Sequence, residues 1–72
     1  MKPAIKARPL SVQEYDWLQR FRTAVDRHWV GLTEFEKRFC GDLLARFEQF
    51  GIRTFVSRKQ WEIVAEIGEK VM

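Results

Sequence analysis

The sequence predicts a compact all-α fold of three helices, and three observations support this prediction. A capping-box pattern, in which Ser or Thr is followed three residues later by Glu or Gln, occurs three times: Ser11 with Glu14, Thr33 with Glu36, and Ser57 with Gln60. Apolar residues at helical spacing follow each box. The hydrophobic fraction of 46% is far too high for a disordered chain. At 72 residues the chain has room for one core, and therefore for one domain.

Helix one is predicted over residues 12–29. Its apolar face should be centred on Leu18, Phe21, Val25 and Trp29. Gly31 should end the helix in a left-handed conformation, which glycine adopts without a Cβ penalty. The connection to the next helix is then short, so we expect the first two helices to be antiparallel neighbours.

Helix two is predicted over residues 34–50, with Gly51 as its stop. A stripe of large apolar residues should face the core, with Cys40 and Leu44 beside it. The stripe consists of Phe35, Phe39, Leu43, Phe47 and Phe50. Such a row of rings needs small residues opposite, for which Ala24, Ala65 and Gly68 are the candidates.

Helix three is predicted over residues 58–71, after a loop in which Ile52 and Phe55 or Val56 should pack on the bundle. Its buried face should consist of Trp61, Val64, Ala65, Gly68 and Met72. Ile63 and Ile67 then fall on a flank, so we expect them to leave apolar surface that the bundle does not cover.

The charge is distributed unevenly along the chain. The net charge is +3, and Lys2, Lys6 and Arg8 supply all of the excess, because residues 9–72 hold ten cationic and ten acidic side chains. Pro3 and Pro9 interrupt any helical period there. The sequence therefore predicts a flexible basic arm over residues 1–10 and a folded domain over residues 11–72.

The residue inventory argues against several classes of function. Cys40 is the single cysteine and His28 the single histidine, which favours neither a disulfide, a zinc site nor a catalytic pair. His28 is expected at the end of helix one, where a cation suits the helix dipole. Cys40 is expected as a small buried hydrophobe. We therefore expect a non-enzymatic, cytoplasmic protein that uses no cofactor and no membrane.

The leading hypothesis is a helical module that binds another protein, with a homodimer as a further form of the same idea. The candidate residues for this surface are Trp17, Arg46, Ile63 and Ile67. Arg46 has two interpretations. Its stem covers the edge of the core, as long cationic side chains often do, or it forms part of an interface together with the aromatic rings beside it.

The alternative hypothesis is a small nucleic-acid-binding accessory protein. Arg53, Arg58 and Lys59 surround the start of helix three, where backbone N–H groups favour phosphate. They would act together with the predicted arm, through Lys2, Lys6 and Arg8. Glu62, Glu66 and Glu69 line the same helix and would repel a nucleic acid.

Residues 32–71 contain Leu32, Thr33, Glu36 and Phe39, followed after a helix and a loop by Ser57, Lys59, Gln60 and Trp61. This arrangement resembles a pattern in small helical proteins and terminal modules of bacteriophages and mobile elements. The resemblance implies a phage or prophage setting. Proteins of this size in that setting bind host or replication proteins, in some cases as anti-defence inhibitors.

Overall fold

The computed structural model describes residues 9–72 of the chain and shows three α-helices in that part. Helix α1 spans Val12–Arg27, α2 spans Glu34–Phe50 and α3 spans Arg58–Val71. A short 3₁₀ turn follows each of the first two helices, at Trp29–Gly31 and at Gly51–Arg53. The described residues thus form the predicted all-α three-helix fold. No helix among them is long and apolar enough to cross a membrane.

All three predicted capping boxes form. In each box the N-cap hydroxyl accepts a hydrogen bond from the backbone N–H three residues on, and the Glu or Gln side chain accepts one from the N-cap N–H. The six hydrogen bonds are 2.8 to 3.1 Å long. Each helix therefore begins where the sequence predicts.

The two predicted stop glycines behave differently. Gly51 follows Phe50 with a φ of 57°, a backbone conformation that a Cβ would strain, and it ends α2 as predicted. Helix α1 instead ends at Arg27, before the predicted boundary, and Gly31 has no positive φ, so its predicted left-handed conformation is wrong. The N–H of Gly31 donates to the carbonyl of His28 at 3.0 Å, because the chain tightens into a 3₁₀ turn that satisfies the final carbonyls.

Successive helices run in opposite directions. The rings of Tyr15 in α1 and Phe47 in α2 lie 5.3 Å apart, so the start of α1 meets the end of α2. Lys70 Nζ, near the end of α3, lies 2.8 Å from Glu36 Oε1 in the first turn of α2. The antiparallel pairing predicted for the first two helices is confirmed.

One core lies between the three helices. Helices α1 and α2 contribute mostly predicted residues, namely Leu18, Phe21, Val25, Cys40, Leu43 and Phe47. Helix α3 contributes Val64, Ile67, Gly68 and Val71.

Helix α3 is rotated about its axis relative to the prediction. Ile67, expected on an exposed flank, is only 2% exposed, whereas Ala65, expected in the core, is exposed. Gly68 packs closely on α1, because a Cβ there would lie 3.1 Å from Cη2 of Trp17. The side of α3 that carries Gly68 therefore meets α1, Ile67 faces the centre of the bundle, and Ala65 remains exposed.

Four large apolar residues predicted for the core are exposed instead. Their exposed fractions are 38% for Trp29, 60% for Phe35, 51% for Phe50 and 56% for Met72. All four lie at or beyond the ends of helices, where neighbouring helices cover fewer sides of a side chain. Along the helices, the core is therefore shorter than the apolar stripes of the sequence.

Two segments outside the helices also pack on the core. Leu10 is 5% exposed and its N–H donates to the carbonyl of Ile52 at 2.7 Å, so Leu10 belongs to the folded domain rather than to the predicted arm. In the loop before α3, the buried anchor is Thr54, whose hydroxyl donates to the carbonyl of Gly51 at 2.7 Å. Val56 packs against the core as predicted, whereas Ile52 and Phe55 are exposed. Residues 1–8 of the predicted arm lie outside the described residues.

Candidate functional site

Trp17 is the centre of an aromatic contact between α1 and α3. Its ring is half-buried and stacks on Phe21, with ring centroids 5.3 Å apart and an interplanar angle of 15°. It also meets Trp61 at its edge, at 6.4 Å and 63°. Gly68 leaves room for this arrangement, because its missing Cβ would lie against the Trp17 ring. A predicted interaction residue is therefore held rigidly by both helices.

An open groove runs beside this contact, at the start of α1 and α3. It encloses about 480 Å³ and is lined by Ser11, Gln13, Glu14, Trp17, Trp61, Val64 and Ala65. We call it the Trp groove. Its floor is apolar and its rim, from the first turn of α1, is polar. Pockets of this size and composition accept apolar groups, and tryptophan is enriched among the residues that dominate binding energy in protein interfaces.

The four predicted interaction residues do not form one surface. Ile67 is buried in the core, so its prediction as a surface residue is wrong. Ile63 is half-buried and packs against the same core, which leaves little of it for a partner. Trp17 lies in the Trp groove, whereas Arg46 lies on α2 and is not among the residues of that groove.

Arg46 combines a partly exposed side chain with a donor that is unsatisfied among residues 9–72. Its side chain is 36% exposed, and its guanidinium lies 3.6 Å from a carboxylate oxygen of Asp42. Its Nε is buried and has no hydrogen-bond partner within residues 9–72. This partial burial agrees with the first interpretation, in which the side chain covers the edge of the core, and the interface role of Arg46 stays a prediction.

Arg46 shares one edge of α2 with three phenylalanines, which we call the aromatic edge: Phe35, Phe39, Arg46 and Phe50. Phe35 and Phe39 stack with ring centroids 6.1 Å apart and an interplanar angle of 22°. Phe39 also touches the core, whereas Phe35 and Phe50 are more than half exposed. The sequence prediction missed this edge because it assigned every phenylalanine of α2 to the core. The width of the apolar arc of α2 was the available signal, since it exceeds what one helix seam can bury.

The predicted nucleic-acid residues lie around the start of α3. Arg53 ends the second 3₁₀ turn, and Arg58 and Lys59 form the first turn of α3. All three are exposed, and within the part of the chain that the structure describes none of them has an ion-pair partner. The remaining candidates, Lys2, Lys6 and Arg8, lie outside the described residues.

Cys40 and His28 occupy the places that the sequence predicts. Cys40 is fully buried, and burial together with the charge of Glu36 raises the pKa of its thiol to about 11. A thiol of that kind stays protonated at neutral pH and is a poor nucleophile. His28 is the C-cap of α1, is exposed, and lines a shallow groove with Arg27 and Val71. Among residues 9–72, no group of three His, Cys, Asp or Glu side chains could hold a metal ion.

No protein-family model, curated protein or solved structure matches this chain. A function for the chain must therefore be inferred from its own surfaces. Of these, the Trp groove combines a defined volume, an apolar floor and a rigid aromatic pair.

Proposed function

We propose that this protein acts by binding another protein, and that the Trp groove receives an apolar side chain of that partner. The observation that carries the proposal is the pair Trp17 and Trp61, both half-buried, at the floor of an open groove of about 480 Å³. Within residues 9–72, Trp17 already packs against Gly68 and Phe21, and both rings still remain partly exposed. A partner side chain can cover what remains exposed.

The shape of the Trp groove favours a protein partner over a small molecule. The groove is open along the seam between α1 and α3, and its polar groups, from Ser11, Gln13 and Glu14, stand on one side. Small-molecule sites instead enclose most of their ligand with converging polar groups. An open seam between two helices suits an amphipathic segment that places one anchor in the groove and runs along the helices.

The resemblance of residues 32–71 to phage and mobile-element modules supports a more specific form of the proposal. In that form the protein is a non-enzymatic, cytoplasmic accessory or inhibitor protein, for example an anti-defence protein, and its partner is a host or phage protein. A small domain with an apolar groove suits such a role, because it can act by occupying a surface of its target.

The test uses a variant that fills the Trp groove without disturbing the core. Ala65 is exposed and lines the groove, so Ala65→Arg should block it while α3 stays helical. Ala45→Arg is the matched control, because Ala45 is an exposed helical alanine on α2 outside the groove. The three proteins are immobilised and exposed to lysate of the native host, and retained proteins are identified by mass spectrometry.

We expect a partner that the wild type and Ala45→Arg retain and Ala65→Arg loses. With that partner purified, Ala65→Arg should weaken binding about tenfold or more, which corresponds to at least ~1.4 kcal/mol. Equal affinity of all three proteins for every retained partner would rule out the Trp groove as the binding site.

The second candidate function is nucleic-acid binding. It is favoured by three cations at the start of α3 that have no ion-pair partner among residues 9–72. Arg53, Arg58 and Lys59 would contact phosphates, together with Lys2, Lys6 and Arg8 of the predicted arm. Fluorescence anisotropy with labelled single-stranded and duplex DNA and RNA at low salt tests this function.

The discriminating variant replaces Arg53, Arg58 and Lys59 by Gln. Its control replaces Arg27, Lys37 and Arg38 by Gln, which removes the same charge from other parts of the surface. If phosphate contacts drive binding, the first variant should bind more weakly and with a shallower salt dependence than the control. Absence of binding by the wild type at low salt would eliminate this function.

A further inference from the structure

We infer that the aromatic edge of α2 pairs with the same edge of a second copy of this chain, in an antiparallel helix pair. The inference concerns residues other than those of the Trp groove, so its test is independent of the test of the proposed function. Its basis is the exposure, the spacing and the charges of Phe35, Phe39, Arg46 and Phe50.

Exposure identifies the edge as unpartnered among residues 9–72. Phe35 is 60% exposed and Phe50 is 51% exposed, whereas Leu43 and Phe47 of the same helix are 1% and 3% exposed. Each phenylalanine ring removes a large apolar area from water when it is covered. Two such rings on one edge, with the half-buried Phe39 between them, form an apolar patch. A patch of this kind is typical of an association site, whereas single scattered apolar residues are not.

The spacing makes the edge self-complementary. Successive members are separated by four, seven and four residues, which keeps them on one face of the helix. Phe35 and Phe50 are equally distant from the midpoint of the edge, and so are Phe39 and Arg46. A two-fold axis at that midpoint therefore places Phe35 opposite Phe50 of the second copy, and Phe39 opposite Arg46 of the second copy. Each contact then occurs twice.

The chemistry of the facing residues agrees with this register. Phe35 and Phe50 would form aromatic pairs, and the guanidinium of Arg46 would lie over the Phe39 ring of the other copy as a cation–π contact. Within residues 9–72, Arg46 has one ion pair, at 3.6 Å to Asp42, and a buried Nε without a hydrogen-bond partner. This single long ion pair leaves guanidinium N–H groups that could also contact a ring and a second carboxylate.

The charges next to the axis balance. Asp42 lies beside the midpoint of the edge, so the two Asp42 carboxylates would approach each other and repel. Each Arg46 stands one turn away and can contact the Asp42 of both copies, which gives two cations and two anions around the axis. A different protein would have to reproduce this alternation, whereas a second copy supplies it by symmetry. The pairing would be modest in strength, with a Kd on the order of micromolar, because α2 is only about 25 Å long.

The first experiment measures association of the full chain by sedimentation equilibrium over a range of concentrations. We expect the wild type to form dimers, and Phe35→Ser and Phe50→Ser each to raise the dimer Kd about tenfold or more. Val30→Ser is the matched control, because Val30 is 91% exposed and lies outside the edge. It should leave the Kd unchanged. Far-UV circular dichroism checks that every variant keeps its helices, which is expected because the substituted side chains are largely exposed.

The second experiment tests the register by disulfide formation in a Cys40→Ala background. One chain carries Phe35→Cys and another carries Phe50→Cys, and the two are mixed under mild oxidation. The antiparallel pairing predicts disulfide-linked dimers in the mixture. Either chain alone should form few, because two copies of position 35 would stand about 22 Å apart.

The outcomes separate cleanly. A wild type that remains monomeric at millimolar concentration would overturn the inference, as would a dimer that Phe35→Ser and Phe50→Ser leave unchanged. Equal cross-linking in the mixture and in the separate chains would overturn the antiparallel register. Loss of a different protein partner by these variants, with a monomeric wild type, would assign the edge to that partner and also overturn the inference.

Discussion

Replacement of Gly68 by alanine tests the close contact between α3 and Trp17 of α1. Alanine is favoured over glycine in a helix by about 1 kcal/mol, so propensity alone would stabilise the variant. The new Cβ, however, would lie 3.1 Å from Cη2 and 3.3 Å from Cζ2 of Trp17. The ring has little room to withdraw, because it stacks on Phe21 and meets Trp61. Overpacking of this kind costs roughly 1–3 kcal/mol, so we expect a net destabilisation of up to about 2 kcal/mol.

Gly41→Ala is the matched control for this experiment. Gly41 also lies inside a helix, but a Cβ there would meet nothing within 4 Å. It should therefore stabilise the protein by about 1 kcal/mol through propensity alone. Urea denaturation followed by circular dichroism gives both free energies of unfolding, and we expect them to differ by about 1–3 kcal/mol. If Gly68→Ala stabilised the protein as much as Gly41→Ala does, the packing contact with Trp17 would not constrain the fold.

The other predictions concern the two turns, the thiol and one ion pair. Gly51→Ala should lower the free energy of unfolding by roughly 1–3 kcal/mol because of the positive φ at that position. Gly31→Ala should leave the free energy of unfolding unchanged or raise it by about 0.4–1 kcal/mol. If urea titrations showed that both glycine variants lose the same free energy of unfolding, the predicted difference between them would be wrong. Cys40, buried and with a pKa raised to about 11, should react with iodoacetamide far more slowly in the folded protein than in urea. Comparable labelling rates in the two states would show that the thiol is accessible. The hydrogen bond from Lys70, assisted by that from the Thr33 backbone, holds the pKa of Glu36 below its ordinary value of 4.5. This carboxylate therefore contributes stability above about pH 4.5, and the contribution is lost as the pH falls through the lowered pKa. Lys70→Met should reduce the fall in melting temperature between neutral and acid pH. If the melting temperatures of the wild type and the variant depended on pH in the same way, this prediction would be refuted.

The beginnings of the helices were predictable because a capping box is a local structure. Its donor and acceptor are three residues apart, so the sequence alone shows where the hydrogen bonds can form once the helix is present. The same local logic could have identified Leu10. An apolar residue precedes each N-cap, namely Leu10, Leu32 and Val56, and all three are buried or half-buried. Such residues often pack on the first turn of the helix that follows. The prolines nearby led to the assignment of Leu10 to the arm.

The candidate site was predictable only in part. Trp17 was identified from the sequence, and Trp61 was assigned to the core, but the groove that joins them depends on how two distant helices approach. Ile67 was placed on the wrong side because periodicity defines an apolar arc without defining which part of the arc faces the centre. The exposed aromatic edge was hidden for the same reason, since a stripe of phenylalanine is typical of a core.

The amino-acid sequence by itself determined that this protein has three helices and where each begins, because hydrogen bonds between near neighbours decide both. Tertiary structure decided the rest. The packing of α3 on the other helices, with Gly68 against Trp17, buried Ile67 and left Ala65 at the edge of the Trp groove. A core of three short helices can cover only part of so many aromatic side chains. Which rings remained exposed, and therefore which surfaces can bind a partner, followed from the packing of whole helices rather than from any local pattern.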